Sequence, residues 1–261
     1  MSWEFLNTGF RTGIENMNLD EALANQLRAG PGRPTVRVFG WRPYAVSIGF
    51  NQRLEDFDQS ALSAQGIDIV RRPTGGRAIF HAHELTYSVV LEAADRGARE
   101  IYRSISESLL CGLTLLGIDA RLTDTDTDLA RSARDPLSIP CFTSSAKSEI
   151  QFDGKKLIGS AQRRYGTVVL QHGSLLLGPQ HRQIVNFLAP LNEHSRALID
   201  DDLISRTIDA ETILGRHVSF DEAAGCVKRG FELAWGIQFN ERSAEAGQLH
   251  PEQQERSVPV V

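Results

Sequence analysis

The dipeptide Asp153-Gly154 constrains this chain most, because it stands between Glu149-Ile150-Gln151-Phe152 and Lys155-Lys156-Leu157-Ile158. Aspartate followed by glycine supplies the positive φ angles of a type I′ turn, whose twist matches that of paired strands, so the flanking segments are expected to form an antiparallel hairpin. Side chains alternate between the two faces of a strand. Lys155 and Lys156 therefore point to opposite sides, and only one of them can enter a site built on this hairpin.

Other stretches must complete the sheet. Thr35-Val36-Arg37-Val38-Phe39 and Tyr44-Ala45-Val46-Ser47-Ile48-Gly49-Phe50 alternate as strands and are expected to pair with each other through Trp41-Arg42-Pro43. Strands are also expected at residues 67–70, 77–80, 84–91 and 167–177, the third apolar enough to be central. Helical spacing recurs at Leu19, Leu23 and Leu27 behind an Asn18/Glu21 capping box, and at Ile101, Ile105, Leu109, Leu113 and Leu116. Further helices are expected at residues 54–65, 182–188, 201–214 and 219–236, the last opened by a Ser219/Glu222 capping box. Strands flanked by helices without regular βαβ alternation predict an α+β fold with a mixed or antiparallel sheet.

With 261 residues, 41% of them hydrophobic, the chain can bury a large core. Residues 1–240 are read as one domain and 241–261 as a polar tail. Nothing approaches a membrane-spanning apolar run, and Met1-Ser2-Trp3-Glu4-Phe5 lacks the basic and apolar regions of a signal peptide, so the expected location is the cytoplasm. A net charge of −5 argues against general nucleic-acid binding. Even so, Arg71, Arg72, Arg77, Lys155, Lys156, Arg163 and Arg164 fall in two segments that would form a basic mouth for acidic partners if the fold joins them.

The three cysteines are scattered, which fits neither a disulfide framework nor a clustered metal site, and no metal is expected. Cys111 and Cys226 lie on apolar helices and read as buried small hydrophobes, whereas Cys141 ends a polar, aspartate-rich loop spanning residues 123–139.

Site chemistry concentrates at Arg71-Arg72-Pro73-Thr74-Gly75-Gly76-Arg77-Ala78-Ile79-Phe80-His81. Paired glycines let backbone approach a ligand, and arginine forks recognise phosphate or carboxylate, although a solvated basic turn is the alternative reading. Gly159-Ser160-Ala161-Gln162 reads as a small-residue bend against which a ligand can lie. His172-Gly173, at a strand centre, is either an orienting pair or an ordinary hydrogen-bonded core histidine with its neighbour.

Three ordered motifs, Asn16-Met17-Asn18-Leu19-Asp20-Glu21-Ala22, the stretch at 71–81 and the lysine segment at 154–162, resemble the lipoate–protein ligase and octanoyltransferase family. That family is related in fold to biotin protein ligases, and the resemblance runs from Trp3 to about Trp235. ATP-using members usually carry a third glycine where this chain has Arg77, and an aspartate-led continuation where it has Ala82. Glu84-Leu85-Thr86-Tyr87-Ser88-Val89 and Cys141-Phe142 instead look like the cysteine-dependent octanoyl-[acyl-carrier-protein]:protein N-octanoyltransferases, while Ala82 departs from both patterns.

The resemblance implies octanoyl transfer from octanoyl-acyl-carrier protein to a lysine of a lipoyl domain, such as glycine cleavage H protein or a 2-oxoacid dehydrogenase E2 domain. Neither nucleic acid nor membrane is an expected partner. Cys141 would hold the acyl group as a thioester and Lys156 would activate its thiol, with Lys155 the solvent-facing alternative. Arg71, Arg72, Gly75, Gly76, Arg77, His81, Gly159, Ser160, Ala161, His172 and Gly173 would bind substrate. Moving an acyl group from thioester to amine is downhill, so no cofactor is expected. An ATP-dependent ligase acting through lipoyl-adenylate, with ATP and Mg²⁺, is the alternative. An apolar slot for the chain would gain some 5 to 6 kcal/mol from about seven carbons at roughly 0.8 kcal/mol each.

Overall fold

Apolar alternation becomes two sheets in the computed structural model, which describes residues 2–30, 32–123, 149–189 and 191–241. The strands are β1 (Trp3–Arg11), β2 (Thr35–Trp41), β3 (Ala45–Ile48), β4 (Asp68–Arg71), β5 (Ile79–His81), β6 (Glu84–Glu92), β7 (Arg121–Thr123), β8 (Glu149–Phe152), β9 (Lys155–Tyr165), β10 (Val168–Leu176) and β11 (Phe239–Glu241). The α-helices are α1 (Gly13–Arg28), α2 (Gln59–Ala64), α3 (Ala98–Leu116), α4 (Glu193–Arg206), α5 (Ala210–Leu214) and α6 (Phe220–Trp235), with 3-10 turns at Leu54–Asp56 and Pro179–Phe187. None of the described helices is long and apolar enough to cross a membrane.

The large sheet runs β11-β1-β2-β6-β10-β9-β8-β7 and the small one β4-β3-β5. β1 is parallel to both its neighbours, and from β2 through β6, β10 and β9 to β8 the pairing is antiparallel, giving the mixed sheet of an α+β fold. The Asp153-Gly154 turn closes with positive φ at both residues, 48° and 74°. Leu85, Val89 and Leu91 of β6 join Ile105, Leu109 and Leu113 of α3 and Val227 and Phe231 of α6 in the main apolar core.

Several expectations are corrected. β2 and β3 do not form a hairpin, because β1 and β6 occupy both edges of β2, and β3 pairs instead with β4 and β5. Alternation marks a strand without naming its partner. The opening helix starts earlier than Asn18: Thr12 is its cap, accepting from Glu15 N at 3.4 Å while Glu15 Oε2 accepts from Thr12 N at 2.9 Å. Ser219 caps α6, but Glu222 bonds Arg216 rather than completing a box. Gly159-Ser160-Ala161 is no bend, since β9 runs straight through it. Cys111 and Cys226 are only partly buried.

Candidate functional site

Pairing of β9 with β10 sets Ala161 opposite His172, Ser160 opposite Gly173 and Gly159 opposite Ser174. Close packing explains the glycine: a Cβ at Gly173 would stand 2.5 Å from the Gly159 carbonyl oxygen and 2.7 Å from Tyr87 Cε1. These residues form part of a cavity of about 160 Å³, to which Met17, Trp41 and Ile79 add apolar surface and Lys156 and Glu149 add charge.

Arg72 and Arg77 also line that cavity, and the Arg72 side chain holds the turn between them. Its guanidinium donates to the carbonyls of Ser47 (3.0 Å), Gly75 (2.9 Å) and Arg77 (2.6 Å). A Cβ at Gly49 would lie 2.0 Å from the Gly76 carbonyl oxygen, so the turn is pressed against the end of β3, with Gly76 at φ 90°.

Two polar networks reach the cavity from below the side chains that line it. In the first, fully buried Arg37 on β2 donates to Asp20 Oδ1 at 2.8 Å and to Thr8 Oγ1 at 3.0 Å. Ser88 Oγ donates to the same Asp20 oxygen at 2.7 Å, and the other Asp20 oxygen lies 3.2 Å from His172 Nδ1. Burial alone would raise the Asp20 pKa, but the Arg37 charge and the His172 and Ser88 hydrogen bonds hold it below the usual carboxylate range. An ionised Asp20 only accepts, so His172 Nδ1 carries a proton and donates to it, while Nε2 lies 2.6 Å from Thr74 Oγ1.

The second network surrounds His81. Its ring stacks on Trp41 with centroids 4.0 Å apart, and Nε2 lies 2.8 Å from Ser47 Oγ. Buried Nδ1 has no hydrogen-bond partner and stands 3.5 Å from Glu84 Oε1. Burial outweighs the attraction of Glu84 and lowers the His81 pKa, which favours the neutral imidazole. Glu84 is itself held by the hydroxyls of Thr86 (2.8 Å) and Ser174 (2.5 Å).

Lys156 Nζ sits 2.5 Å from Glu149 Oε1, with both side chains almost wholly buried. Lys155, on the other face, reaches toward the Ile204 carbonyl at 3.4 Å and is partly exposed. Alternation puts the two lysines on opposite faces, and the structure shows that Lys156 is the one facing the cavity.

The model of the family described as "Lipoyl protein ligase A/B catalytic domain" matches residues 12–232. The chain belongs to that family. An "Octanoyltransferase LipM" from Symbiobacterium thermophilum is 41% identical across 95% of this chain and 93% of the relative. Another protein of that name from an Exiguobacterium species is 38% identical across 91% and 88%. Among solved structures, the bi-partite lipoate protein ligase of Thermoplasma acidophilum superposes with a TM-score of 0.76 at 23% identity, covering 98% of this chain and 90% of that one. The structural likeness is one of fold.

Of the residues singled out in the sequence, Arg72, Gly76, Arg77, His81, Lys156, Gly159, Ser160, Ala161, His172 and Gly173 line one cavity. Arg71 does not, since its guanidinium donates to the carbonyls of Gly49, Phe50 and Gln52 and ties down that segment. Gly75 lies outside the lining too and offers its carbonyl to Arg72. Cys141 lies outside the described residues. Sequence reading missed Asp20, Arg37, Thr74, Glu84 and Glu149. A charged residue amid Val36, Val38 and Phe39, and Asn16 with Asp20 one helical turn apart, were the available signals.

Proposed function

We propose that this protein is an octanoyltransferase of lipoate biosynthesis, moving an octanoyl group from octanoyl-acyl-carrier protein to a lysine of a lipoyl domain. The observation that carries the reading is the near full-length similarity to proteins named octanoyltransferase, which at 31–41% identity spans most of this chain. The cavity supports it chemically, combining apolar walls, close backbone at Gly159 and Gly173, and a buried cation at Lys156.

In this reading the Cys141 thiolate attacks the donor's thioester carbonyl, and the phosphopantetheine thiol leaves with a proton. The acceptor lysine, as free amine, then attacks octanoyl-Cys141, forming the amide and returning the thiol. Lys156 stabilises the thiolate and exchanges protons with the attacking amine. His172, oriented by Asp20, and neutral His81 position the acyl carbonyl end, while Met17, Trp41 and Ile79 receive the chain. Arg72 keeps the turn in place, and Arg77 contacts the phosphopantetheine arm or the acidic carrier surface. No nucleotide takes part, because the thioester already carries the activation. Acceptors of this chemistry include glycine cleavage H protein and E2 lipoyl domains.

The test is to incubate the protein with octanoyl-acyl-carrier protein, without ATP, and weigh it intact. One octanoyl adduct, mapped to Cys141, lost in Cys141→Ser and discharged by a lipoyl domain, is the expected result. Acyl-adenylate formation that depends on ATP, with Cys141→Ser retaining transfer, would overturn the reading.

A further inference from the structure

Away from the cavity, three residues distant in the chain converge on one oxygen. Glu211 Oε1 lies 2.9 Å from His83 Nε2 and 2.5 Å from His217 Nδ1, and it accepts from Val218 N at 3.1 Å. The two imidazole rings are nearly parallel, 8° between planes and 5.5 Å between centroids. One ligand atom from each of His83, Glu211 and His217 falls within 4.8 Å of the others. None of the three lines the acyl cavity.

The fold holds these groups in place before any ligand arrives. Leu177 N and Gly178 N donate to the His83 carbonyl at 3.2 and 3.1 Å, and the Leu177 carbonyl accepts from Glu211 N at 3.0 Å. A single strand end thereby fixes two of the three residues. A Cβ at Gly178 would come within 2.7 Å of His83 Cδ2, so glycine there makes room for the ring. The side chains of His83 and Glu211 are about a quarter exposed, 26% and 24%, and His217 is 75% exposed, leaving the cluster open to solution.

Two imidazole nitrogens and a carboxylate oxygen are a borderline donor set suited to zinc. Tetrahedral zinc, with bonds of about 2.0 to 2.2 Å, separates its donors by about 3.3 Å. The two contacts to Glu211 Oε1, at 2.9 and 2.5 Å, are closer than that spacing, so the side chains would rotate as the ion enters. We propose that His83, Glu211 and His217 form a zinc site with solvent-facing coordination positions, joining the turn between β5 and β6 to α5 and the α5–α6 connection. A bound ion would replace two shared protons with one set of metal bonds and fasten this corner, two residues beyond the cavity-lining His81. The proposal does not depend on which acyl reaction the cavity performs.

Equilibrium dialysis of the chelator-stripped full chain against ZnCl₂ tests it, with cobalt(II) as a spectroscopic substitute. The expected result is one equivalent of zinc and a melting temperature that rises with zinc. Cobalt spectra should show d–d bands without a thiolate charge-transfer band. His217→Ala, chosen because that side chain is exposed, and Glu211→Gln should weaken zinc binding by on the order of 100-fold, at or beyond the loss seen on removing outer partners of metal ligands. Unchanged zinc binding in His217→Ala, a thiolate band, or failure of the folded parent to retain zinc would each overturn the site.

Discussion

The two faces of the large sheet are built from the same strands and differ in chemistry beside the cavity. Toward α3 and α6, β2, β6 and β10 present Val36, Val38, Leu85, Val89, Leu91, Val169 and Leu175. Alternate positions on the same strands carry Arg37, Glu84, Thr86, Ser88, His172 and Ser174, and these are buried as well. Burial therefore does not distinguish the faces; pairing does. The apolar face gains from area removed from water, which is non-directional and tolerates adjustment. On the polar face each charge needs a particular partner at hydrogen-bond distance, because a buried charge without one is costly. The placement of His172 beside Asp20 follows from that requirement.

Breaking the polar face should have the largest effect. Asp20→Asn leaves the Arg37 guanidinium buried without its counter-charge and is expected to cost about 3 to 5 kcal/mol in urea unfolding. Because the Asp20 pKa is depressed in the folded protein, its stabilisation is present above the ordinary aspartate value of about 3.9 and fades as pH falls below it. The variant should lack that part of the acid limb; a parent-like acid limb would mean that the pair does not stabilise the fold.

On the apolar face, Leu109→Ala is expected to cost roughly 3 kcal/mol through lost burial and a cavity. Octanoyl adduct formation by the remaining folded protein should be unchanged. A variant as stable as the parent, or a folded one that no longer forms the adduct, would erase the proposed division between the faces.

Lys156→Ala should slow transfer by about 10²-fold and move the pH profile of Cys141 alkylation upward, as expected when a cation is removed from beside a thiol. An identical alkylation profile would separate Lys156 from Cys141. The smallest change is expected from Lys155→Ala, within about 0.5 kcal/mol in stability and with parent-like transfer, since this side chain is partly exposed and lies on the face of β9 away from the cavity. A large loss of transfer there would mean that the acceptor domain docks on the outer side of β9.

Local chemistry made much of this molecule readable. The Asp153-Gly154 turn, the strand periods, the apolar stripe of α3 and the placement of Lys155 and Lys156 on opposite faces all depend on residues a few positions apart. The convergence of Arg72, Gly76 and His81 with Gly159, Ser160 and Gly173 on one cavity was readable as motifs rather than as distances. What the sequence determined by itself was therefore the mixed α+β class and most of the residues around the cavity. Tertiary structure alone decided that β2 and β3 belong to different sheets, that Arg71 holds backbone while Arg72 faces the cavity, and that Asp20 meets His172 across 152 positions. Turn and period signals act through neighbouring φ and ψ angles and are written locally. Partners in a sheet or a buried charge network are chosen by competition among distant segments for the same edge or counter-charge, and that competition is settled only when the whole core closes.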